Sequence, residues 1–108
     1  MNFTDYQREA RKTAVYPDEH KITYPALGLS GEAGEVANKV KKILRDDGGR
    51  LRPEVKDALS QELGDCLWYL ALVAWDLELD LQNIAEENLK KLADRQARGT
   101  LQGEGDKR

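Results

Sequence analysis

An uninterrupted apolar run in the second half of the chain constrains the fold more than any other feature. Every residue from Cys66 to Trp75 is apolar when tryptophan and tyrosine are counted as such. A helix that is apolar on all faces needs cover on all faces, yet a chain of 108 residues builds only one modest core. The run is also far shorter than the roughly 20 residues that span a bilayer. We expect either a fully buried central helix or a surface for self-association, and we favour the second because so short a chain has little material for cover.

Prolines and a Gly-Gly pair divide the sequence into four helical stretches. Thr4 and Gln7 are spaced as a capping box at the start of the first. Pro25 and Pro53 suit the first turns of the second and third helices, and Asp80 suits the N-cap of the fourth. The predicted helices cover residues 3–14, 25–45, 53–77 and 81–98. No segment alternates with period two, so the sequence predicts an all-α antiparallel bundle of about four helices, completed by oligomerisation.

This pattern predicts one helical domain followed by a short tail. The domain covers residues 1–98, and the tail covers residues 99–108. The tail is rich in glycine and ends in the basic pair Lys107 and Arg108, and we expect it to be flexible by itself.

Composition and charge exclude several classes of protein. The 17 Lys and Arg against 20 Asp and Glu give a net charge of −3, which argues against a general nucleic-acid binder. The single Cys66 and the single His20 exclude an internal disulfide and thiolate or histidine zinc sites. The beginning of the chain carries no apolar signal segment. We expect a soluble cytoplasmic protein whose partners include neither nucleic acid nor membrane.

Two similar segments place acidic residues at matching positions on two helices. Residues 29–35 read L-S-G-E-A-G-E and residues 59–65 read L-S-Q-E-L-G-D. Each holds two carboxylates three residues apart, which are neighbours on one helix face. At about 100° per residue, both pairs fall on the same side of the apolar stripe of their helix. The stripes are Leu29, Ala33, Val36, Val40 and Ile43 on the second helix and Leu59, Leu63, Cys66, Leu70 and Val73 on the third.

Antiparallel helices packed through these stripes would bring all four carboxylates to one groove. The four are Glu32, Glu35, Glu62 and Asp65. Converging carboxylates repel one another unless they take up protons or hold a cation. A set of oxygen ligands without sulfur or imidazole suits Mg²⁺, with Mn²⁺ as a substitute, and Mg²⁺ favours phosphate oxygens. The sequence therefore predicts a magnesium site for a phosphorylated ligand, against the alternative of ordinary solvated acids.

A basic flank on the fourth helix supplies the opposite charge. Asn88, Lys91 and Arg95 lie together beside its apolar stripe. Arginine offers phosphate a two-pronged fork and lysine a point charge, so we expect this flank to bind phosphates that the metal does not reach. Lys39, on the same flank as Glu32, is a further candidate. A solvated basic helix end fits the fourth helix equally well, and so does an ion pair for Lys39.

Three other residues carry weaker signals. Cys66 lies within an apolar stripe, where a thiol is more typical of a core than of a nucleophile. His20 and Tyr24 precede the second helix and could stack on a base or form a hydrogen bond with it. For both we favour a surface or packing role.

The acidic pairs and their context resemble the MazG-like members of the all-α NTP pyrophosphohydrolase superfamily. The family has E-x-x-E on one helix and E-x-x-D on the next long helix, as in residues 32–35 and 62–65 here. The surrounding residues 24–32 and 62–69 are also similar, and so are the N-x-x-K-L-x-x-R pattern of residues 88–95 and the tail from Arg98. The resemblance extends from Tyr6 to Arg108.

The resemblance implies Mg²⁺-dependent cleavage of a nucleoside triphosphate to the monophosphate and pyrophosphate. It also implies a homodimer or a dimer of dimers with sites at subunit contacts. Many members begin the first motif with two adjacent glutamates, and Gly31 occupies the first of those positions here. The role of that missing carboxylate is not carried over, so we assign activation of water to Glu35, with Glu62 as the second catalytic carboxylate. The alternatives are another phosphorylated substrate (dUTP, dCTP or phosphoribosyl-ATP), a non-catalytic nucleotide-binding protein, or a structural bundle.

Overall fold

A computed structural model describes residues 1–108 as four α-helices without strands. The helices are α1 (Phe3–Lys12), α2 (Thr23–Asp46), α3 (Pro53–Asp76) and α4 (Leu81–Ala97), and a short 3-10 helix covers Asp18–His20. The all-α prediction is confirmed, and Pro53 begins α3 as expected. No helix combines the length and the apolar character that crossing a membrane requires.

The start of α1 differs from its prediction. Asn2, not Thr4, caps the helix, and its side-chain oxygen accepts a hydrogen bond from the Asp5 amide at 2.8 Å. The Thr4 hydroxyl donates instead to the carboxylate of Asp80 at 2.9 Å. Asp80 caps α4 as predicted, by accepting from the Gln82 amide. The capping box was therefore wrong because Thr4 and Gln7 serve contacts to α4 that no local spacing reveals.

A buried amide joins α1 to the α3–α4 turn. Gln7 donates to the carbonyl oxygens of Ala71 and Leu79, at 3.2 and 2.9 Å, and accepts from the Leu81 amide at 3.1 Å. Because each polar group of this amide has a partner, its burial carries little penalty. The small core around it consists of Ala10, Ala71 and Leu81, with Tyr6 and Trp68 packed alongside.

Helices α2 and α3 form the long antiparallel pair of the fold. Gly28 lies against Tyr69, and Lys39 lies against Glu62, so residue numbers rise along one helix as they fall along the other. Gly48 and Gly49 have positive φ angles of 61° and 83° in the turn between the helices, a conformation that glycine adopts without steric cost. A Cβ at Gly28 would overlap the Tyr69 ring, so this glycine permits the close approach of the two helices.

The pair does not pack through the centres of its predicted apolar stripes. Val40, Leu63 and Leu70 remain exposed, and Leu63 keeps 58% of its surface accessible. At about 100° per residue, the residues of α3 that face α2 are centred near Glu62 and Tyr69, one flank away from the stripe. Acidic side chains of both helices therefore point into the groove between α2 and α3. Apolar side chains of the two stripes are left exposed together on one side of the helix pair.

The single chain covers little of its apolar surface. Only 8 of 108 residues are buried. The chain exposes 7885 Å², whereas a compact protein of 12.2 kDa exposes about 6,100 Å². Its radius of gyration is 16.8 Å, against about 13 Å for a compact domain of this length. Trp75 and Leu70, in the apolar run of α3, are among the exposed side chains, so the run is not covered on all faces within one chain.

Candidate metal and phosphate site

Three carboxylates from two helices meet in the α2–α3 groove. Glu32 comes from α2, and Glu62 and Asp65 come from successive turns of α3. One oxygen of each lies within 4.8 Å of the others. Glu32 and Glu62 are partly buried, and Asp65 is exposed. Three of the four carboxylates predicted to converge therefore do so.

Glu35 is the exception. Its side chain is exposed and lies outside the group of three, although its charge is close enough to raise the pKa of Glu32. A step of three residues turns a side chain by about 60° around the helix, whereas a step of seven turns it by only about 20°. Lys39, seven residues after Glu32, consequently faces α3, and its Nζ lies 3.7 Å from Glu62. Glu35 borders the groove rather than lining its floor.

The group carries more negative charge than its surroundings balance. The pKa of Glu32 is raised by a hydrogen bond with Glu62 and further by repulsion from Glu62, Asp65 and Glu35. Lys39 is the cation paired with the group. Such an arrangement favours either a proton held between two carboxyls or a bound cation. Because all the donors are oxygens, the residues fit a hard divalent ion such as Mg²⁺.

We expect the raised pKa of Glu32 to make the metal-free protein sensitive to pH. Above the ordinary glutamate value of 4.5, the unfolded chain ionises this carboxyl more readily than the folded chain does, so the folded state loses stability as the pH rises. The stability of Glu32→Gln relative to the wild type should therefore increase as the pH rises above 4.5. Urea denaturation in a chelator, with Glu87→Gln as an exposed control, measures this difference, and a difference that is constant with pH would contradict the expectation.

Two residues of α3 that surround the acidic group have perturbed side chains. Cys66 is partly buried, and burial followed by repulsion from Glu32 raises the pKa of its thiol, which agrees with a packing role. Tyr69 packs over Gly28, and burial together with the neighbouring Tyr24 and Glu32 raises the pKa of its hydroxyl. Sequence reasoning missed Tyr69 because it lies in the apolar run. Its spacing of seven residues from Glu62 was the available signal.

The basic flank of α4 is engaged elsewhere in this chain. Lys91 and Arg95 both form ion pairs with Asp106 of the tail, at 2.6 and 3.1 Å, and Arg95 also donates to the Asp106 carbonyl oxygen. These bonds hold the pKa of the Asp106 carboxyl below its usual range. Asn88 is exposed on the same helix. Helix α4 packs against α1 and α3, so one chain does not bring Asn88, Lys91 or Arg95 to the acidic group.

The tail is attached to α4 through a buried arginine. Arg95 is only 4% exposed, and its Nε has no hydrogen-bond partner. Sequence reasoning expected Lys91 and Arg95 to bind phosphate, whereas the Asp106 carboxylate of the tail contacts both cations in this chain. The anion that these cations attract within the chain is thus an aspartate.

Comparison with known proteins gives a consistent result. The MazG nucleotide pyrophosphohydrolase domain matches residues 21–99, a range that includes all three clustered carboxylates. The chain is also 46% identical over 114 aligned residues to the Gene 37 protein of Mycobacterium phage L5, with 100% of both chains covered. No solved structure matches the chain.

Proposed function

Because the chain belongs to the MazG nucleotide pyrophosphohydrolase family, we propose that it hydrolyses nucleoside triphosphates to nucleoside monophosphates and pyrophosphate with Mg²⁺. Mn²⁺ is the expected substitute. The observation that carries the proposal is the meeting of Glu32, Glu62 and Asp65 within 4.8 Å. In a purely structural bundle, three neighbouring carboxylates would repel one another and would add no stability.

The residues divide between holding the ion and handling the substrate. Glu32, Glu62 and Asp65 hold Mg²⁺, which when bound neutralises phosphate charge and lowers the pKa of the attacking water. Lys39, ion-paired with Glu62, neutralises part of the remaining phosphate charge and orients Glu62. These roles need no movement of the helices, since the side chains already share one groove.

Glu35 fits a role beside the ion. It is exposed and one helical turn from Glu32, so it can accept a proton from water without competing for the floor of the groove. We assign Glu35 to orienting or deprotonating the attacking water. After rotation about its side-chain bonds, Glu35 also serves as a ligand of the ion. This assignment does not require a carboxylate at Gly31.

The proposal includes a homo-oligomer, either a dimer or a dimer of dimers. Its interface is the α2–α3 apolar flank, which we define as Val40, Leu44, Leu63 and Leu70, all of which are exposed in one chain. The surface that a single chain exposes beyond that of a compact protein is large enough for a stable interface. In such an assembly, Asn88 of one protomer, together with Lys91 and Arg95 once Asp106 releases them, contacts substrate held by another.

We expect Leu63→Arg to convert the assembly to monomers, because a buried charge without a partner is costly. Sedimentation at micromolar concentration should show an oligomer for the wild type and a monomer for the variant. Val15→Arg, which places the same charge on an exposed apolar loop position, is the matched control. A wild type that sediments only as a monomer would contradict the proposed interface.

The activity is tested in Mg²⁺ with a panel of canonical and damaged ribo- and deoxyribonucleoside triphosphates, together with phosphoribosyl-ATP. The assay must resolve pyrophosphate from orthophosphate, since only pyrophosphate marks cleavage between the α- and β-phosphates. Turnover of only dUTP, dCTP or phosphoribosyl-ATP would narrow the substrate within the superfamily. Nucleotide binding without turnover would identify a sensor, and a thermal midpoint unmoved by Mg²⁺ and nucleotide would indicate a structural bundle.

A further inference from the structure

Three kinds of side chain follow one another along the α2–α3 groove. Lys39 lies at one end, beside Glu62. The clustered carboxylates occupy the middle. Tyr69 packs over Gly28 and lies within hydrogen-bonding reach of Tyr24, in the first turn of α2. Along its length, the groove thus presents first a cation, then a group of metal ligands and then an aromatic surface.

The aromatic end of the groove consists of two stacked rings whose position is fixed by hydrogen bonds. Tyr16 and Tyr24 are stacked, with centroids 4.9 Å apart and ring planes inclined by 23°. The Tyr16 hydroxyl donates to the carboxylate of Asp76 at 2.7 Å, and the Ile22 amide donates to the same carboxylate oxygen at 2.9 Å. Asp76 therefore ties the loop that carries Tyr16 to the end of α3 and sets the position of the stack.

Tyr24 keeps accessible aromatic surface although its ring is held in place. Although one face is stacked on Tyr16, 48% of its surface is accessible. A tyrosine placed only to fill a core would be largely covered. The ring is held in a defined position and yet offers free aromatic surface, which is the requirement for stacking a planar ligand.

The distance from the aromatic end to the acidic group suits a nucleotide. Tyr24 precedes Glu32 by eight residues on the same helix, which corresponds to about 12 Å along the axis at 1.5 Å per residue. Tyr69 lies between them and is close enough to both that they affect the ionisation of its hydroxyl. A single ligand with a charged end and a planar end can therefore span the two regions without leaving the groove.

We propose that the stacked pair Tyr16–Tyr24 is the platform for the nucleobase of the substrate, so that the base lies at the first turn of α2 and the leaving phosphates point towards Lys39. This inference rests on the proposed function and adds the orientation of the substrate in the site. Stacking recognises the flat face that all bases share rather than their hydrogen-bonding edges. The platform consequently supports turnover of several bases, with a preference for the larger purine surface.

The test compares a ligand that has a base with one that lacks it. Binding of a non-hydrolysable nucleoside triphosphate analogue and of inorganic tripolyphosphate, both with Mg²⁺, is measured by calorimetry. Tyr24→Leu keeps the apolar bulk and removes the aromatic face, whereas Tyr24→Phe keeps that face. Leu27→Ala, an exposed position on the same turn of α2, is the matched control.

For Tyr24→Leu we expect about a tenfold loss of affinity for the analogue, the scale of one base–aromatic stack, and unchanged affinity for tripolyphosphate. Tyr24→Phe and Leu27→Ala should bind both ligands as the wild type does. Unchanged analogue binding in Tyr24→Leu, or equal losses for both ligands, would overturn the platform while leaving the pyrophosphohydrolase proposal intact. A wild type that binds neither ligand would overturn both proposals.

Discussion

Replacing Glu62 by glutamine should lower pyrophosphate release by about a hundredfold or more, the scale expected when one group that stabilises a transition state is removed. Glu62 is the carboxylate with the most partners in the groove, because it lies beside Glu32 and Asp65 and pairs with Lys39. Glutamine preserves the volume of the side chain and removes the charge that holds a divalent ion. The loss should therefore appear in turnover and in Mg²⁺ affinity together.

The fold of this variant should be unaffected. Its helix content by circular dichroism should equal that of the wild type, since Glu62 makes no contact to the core around Ala71. Glu87→Gln, which removes an exposed glutamate from α4, is the control for a general effect of charge. Wild-type turnover in Glu62→Gln would refute the assignment of the metal site.

The largest effect on stability is expected for Leu72→Ala. Leu72 is 0% exposed in a chain that buries few side chains, and truncation of a fully buried leucine costs about 2–5 kcal/mol. Domains in general are stable by only about 5–15 kcal/mol, so the variant should lose a large share of its free energy of unfolding and unfold at a clearly lower urea concentration than the wild type.

Urea denaturation at several protein concentrations measures this effect and separates it from subunit association. Val15→Ala, at an exposed loop position, should change the free energy of unfolding by no more than about 0.5 kcal/mol. A change of less than about 1 kcal/mol in Leu72→Ala would contradict this expectation, because it would show that the site relaxes to fill the cavity.

The acidic site was predictable from the sequence because much of it depends on spacings within single helices. Glu62 and Asp65 lie three residues apart on one helix, and a step of three fixes their neighbourhood whatever surrounds the helix. Glu32 followed from the matching offset on α2. Glu35 did not join the group because the outcome depends on which flank of α2 faces α3, and a repeat in the sequence cannot specify that rotation.

The basic residues of α4 do not reach the acidic group within one chain, for a related reason. The spacing of Lys91 and Arg95 places them on one face of α4, and the structure keeps them together there. Which anion meets that face depends on the path of the tail and on the position of α4, which packs against α1 and α3. Asp106 reaches them because the chain turns back after Gly99, whose positive φ of 73° ends the helix.

By itself, the sequence determined the four helices, the start of α3 at Pro53, the stop of α2 before Gly48, and the acidic pairs that mark the family. These properties depend on interactions within a few residues, which a linear pattern records. Only the tertiary structure decided that Gly28 admits Tyr69 between two helices, that Gln7 rather than a cap joins α1 to α4, and that an apolar flank of α2 and α3 is left exposed. These outcomes depend on rotations of whole helices about their axes, which are set by the sum of many distant contacts.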